Sequence, residues 1–378
     1  MYRDKQNGFT IIELIVAIAL LGVIVASSGM IFRISIETQR KALGNAEIMQ
    51  KFRAISLQLD SDFENFQKDA PLIIWFQHDP NSQDRFDKVM FFTTGDFQST
   101  QRYRQGQEAP LAYQKEVYYQ EDSKNVRGNT ARIYYGLANL KKNFTIEMPQ
   151  QMNERERILS RRQHILTADT DFVEWPDEDL SDFDALDLDA SVSLAMNDRY
   201  EHDRLSLTKW KNIEAEDYDS VLETVFLNTT SWIDLGGDYQ PYTIHNLMCE
   251  GVGSFAIQWA YWDDSSSTPD GERIRWFPAA DLDGDTSSTQ DSHFSFNPGK
   301  IYGQRAFGVL FKVSGDADFI GENEDWKKIE HLEYKESGDN NFNDGFYPKA
   351  LKFTIRIYDS KNIIKDGRTF TKIVYLDK

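Results

Sequence analysis

The first strong pattern along the chain is an unbroken apolar run. From Phe9 to Phe32 (FTIIELIVAIALLGVIVASSGMIF), 24 consecutive residues carry a single charge, Glu13. At 1.5 Å per residue a helix of this length is about 36 Å long, enough to cross a hydrocarbon core of about 30 Å. The run therefore predicts a membrane-spanning helix over 9–32. Apolar residues then continue at Ile48, Phe52, Ile55, Leu59, Phe63 and Phe66. Their spacing of 4, 3, 4, 4 and 3 traces one face of an amphipathic helix over 33–70. No proline precedes Pro71, so both parts read as one helix from about Phe9 to Phe66, about 85 Å long.

After Pro71 the texture changes to short aromatic and β-branched runs bounded by Gly, Asn and charged turns. Strands are predicted at Leu72–Phe76, Lys88–Thr93, Lys115–Tyr119, Arg132–Leu137, Gly253–Trp262 and Ala306–Val313. Leu351, Phe353, Ile355 and Ile357 alternate with Lys352, Thr354, Arg356 and Tyr358, which marks a half-buried strand, and Thr369–Leu376 is the last. A long helix followed by many antiparallel strands is an α+β plan. The expected organisation is a β-rich head over 71–378, with an acidic insert at about 168–241.

Composition narrows the possible roles. The 378 residues are 40% hydrophobic and 13% aromatic, which is enough for a sizeable core and excludes wholesale disorder. Lys and Arg number 42 against 61 Asp and Glu, a net charge of −19. Such a chain repels phosphate backbones, so nucleic acid is not an expected partner. The small basic cluster Arg155, Arg157, Arg161 and Arg162 is interspersed with Glu154 and Glu156 and reads as a strand edge or turn surface. The single cysteine, Cys249, excludes an intramolecular disulfide or a CxxC motif and reads as a small buried hydrophobe.

Candidate chemistry is sparse. The segment Asp169–Asp189 holds ten acidic residues in 21 with no Lys or Arg. It is either a solvated loop or, given Phe172, Trp175, Leu180 and Phe183, a docking surface. Asp281, Asp283 and Asp285, followed by Asp291, resemble the opening of a calcium loop, because oxygen ligands at alternate positions can wrap one hard cation. Position 6 is Thr286 instead of Gly, and position 12 is Ser292 instead of Glu. An Asp/Gly/Ser surface loop is the other reading of that stretch. The six histidines form no HExxH, and there is no GxSxG, no GxxxxGK[ST] and no GxGxxG between a strand and a helix. No enzymatic activity is expected.

Glu13 remains the anomaly. A carboxylate at helix depth costs about 2.5–3.5 kcal/mol on insertion scales, so it marks function and a nearby partner. Gly8-Phe9-Thr10-Ile11-Ile12-Glu13-Leu14 resembles the class III signal of type IV prepilins and type II secretion pseudopilins. The resemblance implies cleavage by a prepilin peptidase after Gly8, N-methylation of Phe9, and a Glu13 that faces the terminal amine of a neighbouring subunit during assembly. Leu247–Trp262 and Tyr347–Tyr358 look like the C-terminal strand blocks of J-type minor pseudopilins and the related PilW-like minor pilins.

Arg3 and Lys5 on one flank balance Arg33, Arg40 and Lys41 on the other, so charge alone does not orient the span. The resemblance implies a cleaved leader over 1–8, a single pass through a bacterial inner membrane and a head in the periplasm. The implied partners are membrane lipid, other pseudopilins or minor pilins, the peptidase and an inner-membrane secretion platform. A head of some 310 residues has a radius of gyration of about 20 Å, which would crowd a repeating shaft and favours a tip or initiation position. Two alternatives stand beside this reading. One is a minor pilin of a type IV pilus used for adhesion, motility or DNA uptake. The other is an anchored domain that binds calcium or another ligand through exposed tryptophans.

Overall fold

The protein is described by a computed structural model over residues 10–76, 84–104, 123–142, 145–168, 201, 207–211, 232–234, 247–263, 273–277, 307–311, 317–320 and 348–376. A helix, α1 (Ile11–Glu64), runs for 54 residues from the membrane segment into the head. It starts because Thr10, with extended backbone (φ −80°, ψ 152°), caps the first turn. It continues because no proline or cluster of glycines interrupts it, and it ends at Asn65, six residues before Pro71. The face expected from the spacing is the one that is buried: Ile48, Ile55, Leu59 and Phe63 lie in the core, and Phe52 and Phe66 pack half-buried against it.

The head strands are β1 (Leu72–Phe76), β2 (Lys88–Arg104), β3 (Ser123–Leu137), β4 (Asn139–Lys142), β5 (Thr145–Glu147), β6 (Ile158–Leu166), β7 (Trp232–Asp234), β8 (Leu247–Glu250), β9 (Val252–Asp263), β10 (Arg273–Phe277), β11 (Phe307–Phe311), β12 (Ala317–Ile320), β13 (Ala350–Ile357) and β14 (Arg368–Tyr375). A short helix, α2 (Leu207–Lys211), lies between β6 and β7. Seven strands form one antiparallel sheet in the order β12-β11-β1-β2-β3-β6-β8. Four form a second, in the order β10-β9-β13-β14. A small sheet, β5-β4-β7, includes a parallel pair, β4 with β7. The α+β plan is therefore present, with α1 as its only long helix among the described residues.

Alternation decides which strand face enters the core. On β13, Leu351, Phe353, Ile355 and Ile357 are fully buried while Lys352, Thr354 and Arg356 are not. Phe63 of α1 stacks on Phe91 of β2 at 4.0 Å between ring centroids and meets Phe353 of β13 at 5.9 Å. One helical side chain thus touches both large sheets. The predicted strand at Leu72–Phe76 matches β1 end to end, and those at 88–93, 132–137, 253–262, 306–313, 351–358 and 369–376 fall on β2, β3, β9, β11, β13 and β14. β2 and β3 run further than expected because they extend as a paired ribbon beyond the apolar segment, with two register shifts. The strand expected at Lys115–Tyr119 lies outside the described residues.

The loop between β13 and β14 closes against the helix. At Gly367 the backbone takes φ 64°, and a Cβ there would lie 2.9 Å from the Ile357 carbonyl oxygen, so glycine is required. Gly44 faces the same loop, with Ile363 3.5 Å from where its Cβ would be, an ordinary contact distance.

The two faces of α1 should respond differently to truncation. Ile55→Ala is expected to destabilise the head by about 2–5 kcal/mol through cavity formation. Leu57→Ala, at a position 60% exposed, should change stability by no more than about 0.5 kcal/mol. Denaturant unfolding of the detergent-solubilised chain, followed by near-UV circular dichroism, measures both.

Candidate functional site

The described chain begins at the site that the sequence singles out. Gly8 and Phe9 lie outside the described residues, and Glu13 is in the first turn of α1. The Glu13 carboxylate accepts hydrogen bonds from the Thr10 N–H and the Thr10 hydroxyl, both at 2.9 Å, while the Glu13 N–H donates to Thr10 Oγ1 at 3.3 Å. This is a reciprocal capping box. It holds the negative charge at the positive end of the helix dipole, next to the chain's start. A carboxylate so placed is oriented toward the N-terminal end of α1.

The following turns are built for an apolar surrounding. The apolar part of the span is left uncovered by the rest of the described chain. Its large side chains, among them Ile12, Leu20, Val25 and Phe32, all stand outward. The Ser27 hydroxyl donates to the Val23 carbonyl at 2.8 Å, so this polar group is satisfied within the helix and adds little cost in lipid.

Higher up, α1 is fastened to the head by charged and polar contacts. Glu47 accepts from the Ser360 N–H at 2.9 Å and the Ser360 hydroxyl at 3.1 Å. It also pairs with Lys51 at 3.0 Å, and Lys51 donates to the Tyr358 carbonyl at 3.1 Å. Asp359, buried beneath the loop, accepts from the Ile363 and Ile364 N–H groups at 2.8 Å each. Burial alone would raise both carboxyl pKa values, but these donors outweigh it and hold Glu47 and Asp359 below their ordinary range. Lys372 of β14 reaches Asp60 at 2.7 Å.

The deepest fastening is Asp62. Its carboxylate takes two hydrogen bonds from Arg161 of β6, at 2.6 and 2.7 Å, and a third from the Tyr135 hydroxyl of β3. Burial and the adjacent Asp62 charge push the Tyr135 phenol well above its usual pKa. Burial would lower the Arg161 pKa, but the Asp62 contacts more than compensate and raise it. A second buried carboxylate, Asp84, binds Arg157 and Arg356 at 2.8 Å each, and Arg157 also lies 4.7 Å above the Phe86 ring.

These contacts correct one sequence-based expectation. The cluster at 155–162 is not a surface patch: Arg157 and Arg162 are buried, and Arg161 is tied to the helix. β6 is an inner strand of the seven-stranded sheet, and its acidic partners come from positions remote in sequence. Four tryptophans fall among the residues whose side chains are described. Trp210 is 1% exposed, packed on Phe92 at 5.6 Å and beneath Arg132 at 5.0 Å. Trp75, Trp259 and Trp276 are half-buried. Cys249 is buried, as expected, with its thiol pushed up to about 11 by burial.

Among the described residues, no group of three or more His, Cys, Asp or Glu side chains is placed to hold a metal ion. Asp281, Asp283, Asp285 and Asp291 lie outside those residues, as does the acidic run at 169–189. Asp62 was missed as a key residue, although its signal was present. It stands three positions after Leu59, on the buried face of an otherwise apolar stripe.

Residues 3–29 match the prokaryotic N-terminal methylation motif. No curated protein and no solved structure matches the chain. The matched segment contains Gly8, Phe9 and Glu13 and opens into a long apolar helix that carries an antiparallel β head. Together they support a pilin- or pseudopilin-type protein, processed by a prepilin peptidase, anchored in a membrane and assembled with other pilin-type subunits.

Two outcomes test the helix-to-head fastening. Asp62→Ala strands Arg161 and Tyr135 and is expected to cost about 3–5 kcal/mol, whereas Asp62→Leu with Arg161→Leu recovers much of the loss; thermal unfolding of the three proteins decides. The depressed Glu47 and Asp359 carboxyls contribute attachment that is complete above their ordinary values of 4.5 and 3.8. That contribution disappears as pH falls through their lower folded-state values. Hydrogen-exchange protection at the 360, 363 and 364 amides should therefore hold at pH 7 and decline in acid.

Proposed function

We propose that this protein is a minor pseudopilin, a non-enzymatic structural subunit of a type II secretion pseudopilus, placed at the tip or initiation complex and supporting protein secretion. The observation that carries this reading is Glu13, held at the N-terminus of a 54-residue helix within a methylation motif. Peptidase cleavage after Gly8 would leave a free, then methylated, amine on Phe9. Glu13 of one subunit, costly alone in lipid, is relieved beside such an amine on its neighbour, which sets the register of assembly. The long β2–β3 ribbon adds to the bulk of the head, which favours use once per filament over use along a shaft.

The fastening of α1 to both sheets fits a filament role, because a load on the helix passes directly into the head. A minor pilin of a type IV pilus shares the same N-terminal chemistry. Adjacent genes for a secretin and further pseudopilins, as against a retraction motor, separate the two.

Mass spectrometry of the mature protein is expected to find an N-methylated Phe9 as the first residue. Glu13→Ala should leave membrane insertion and head folding intact and abolish incorporation into filaments. Wild-type incorporation by that variant, or an intact Met1, would overturn the proposal. Immunogold labelling tests position: signal at filament ends is expected, and signal along whole filaments would exclude a tip role.

A further inference from the structure

The helix leaves the apolar span at Phe32 and first meets the head at Gly44. The neck between them is exposed throughout and rises about 16 Å at 1.5 Å per residue. At about 3.6 residues per turn, Arg33, Arg40, Gly44 and Lys51 stand above one another on one face. Gly44 and Lys51 are where the 359–367 loop and its entry rest, through Ile363, 3.5 Å from where a Cβ on Gly44 would stand, and the Tyr358 carbonyl, 3.1 Å from Lys51. The lower rim of the head therefore overhangs the side of the neck that bears Arg33 and Arg40.

The loop adds exposed Lys361 and Lys365 to this rim. Among the described residues, Arg33, Arg40, Lys361 and Lys365 have no ion-pair partner. Lys41 pairs with Glu37 at 3.1 Å, with both side chains about 60% exposed, and Asp366 is the exposed carboxylate of the loop. In a chain of net charge −19, this notch gathers four basic side chains that have no ion-pair partner among the described residues, against Asp366 exposed in the same loop and Asp359 held by the Ile363 and Ile364 amides.

We propose that the notch between neck and overhang docks anionic phospholipid headgroups of the leaflet on the head's side, and so holds the head against the membrane before assembly. This rests on the membrane-anchored reading of the span. Lipid is favoured over an acidic protein by position. Arg33 is the first charged residue after the uninterrupted apolar run, which puts its guanidinium in the headgroup layer, about 5–7 Å deep. Arg40 and Lys41 start about 10–12 Å higher, and a long basic side chain can bend down toward that layer. A helix tilt of about 20° toward the overhang brings Lys361 and Lys365 to within about a Debye length of the surface. Release of this contact accompanies withdrawal of the helix into a filament.

The test uses full-length protein in neutral detergent with equal phosphatidylglycerol and phosphatidylcholine, and counts retained lipids by native mass spectrometry. Wild-type protein is expected to retain phosphatidylglycerol about fivefold or more over phosphatidylcholine, with the preference shrinking at high salt. Arg40→Gln with Lys41→Gln, and separately Lys361→Gln with Lys365→Gln, should each reduce the preference. Equal retention of the two lipids by wild type overturns the proposal. An effect of the neck pair alone also overturns it, since that reduces the notch to ordinary interfacial anchoring. Loss of a co-purifying subunit in the neck variant, with no lipid preference in wild type, overturns it in favour of an acidic protein. Resistance of the full chain to alkaline extraction from vesicles reports on the span independently. Extraction there defeats the anchored reading, whatever the headgroup result.

Discussion

One continuous hydrogen-bonded rod has to satisfy two solvents. The lower half of α1 presents apolar side chains in every direction, which is tolerable only in lipid or among other apolar helices. Its upper half buries one face, Ile48 to Phe63, between two sheets and exposes the other. The main chain cannot bend sharply between these regimes without breaking its own hydrogen bonds. The direction of the span therefore determines where the head stands, and the head's attachment determines which way the neck's charged residues face.

Two kinds of interaction make that attachment specific. Apolar packing supplies the bulk of it, with Phe63 shared between β2 and β13, but a smooth apolar stripe can slide or rotate by a turn. Asp62 removes that freedom, because Arg161 and Tyr135 can satisfy a buried carboxylate in one register only. Glu47 and Lys51 do the same near the lower rim, at the loop that joins β13 to β14. Buried ion pairs add little net stability and are costly to leave half-made, so their effect here is to penalise every other seating of the helix.

The N-terminus follows another logic. Glu13 is satisfied within its own first turn by Thr10, so the isolated subunit does not leave a bare charge in an apolar layer. The hydroxyl of Ser27 is handled in the same way, bonded to the backbone of its own helix.

How much of this could be read from residues alone depends on how far apart the interacting groups are. The span, the helical face from Ile48 to Phe66 and the alternation along β13 are periodic over a few residues, and local geometry dictates them whatever the tertiary arrangement. The Gly8–Glu13 motif is legible for the same reason, since leader, terminus and carboxylate occupy six consecutive positions. Sheet order, and the conversion of Arg157 and Arg161 from apparent surface charges into interior partners, were decided by the tertiary structure. Their acids lie 73 and 99 residues away, and the Ser360 contact to Glu47 spans 313. Pairing over such distances has no periodic trace, because it comes from which surfaces meet once the chain has collapsed.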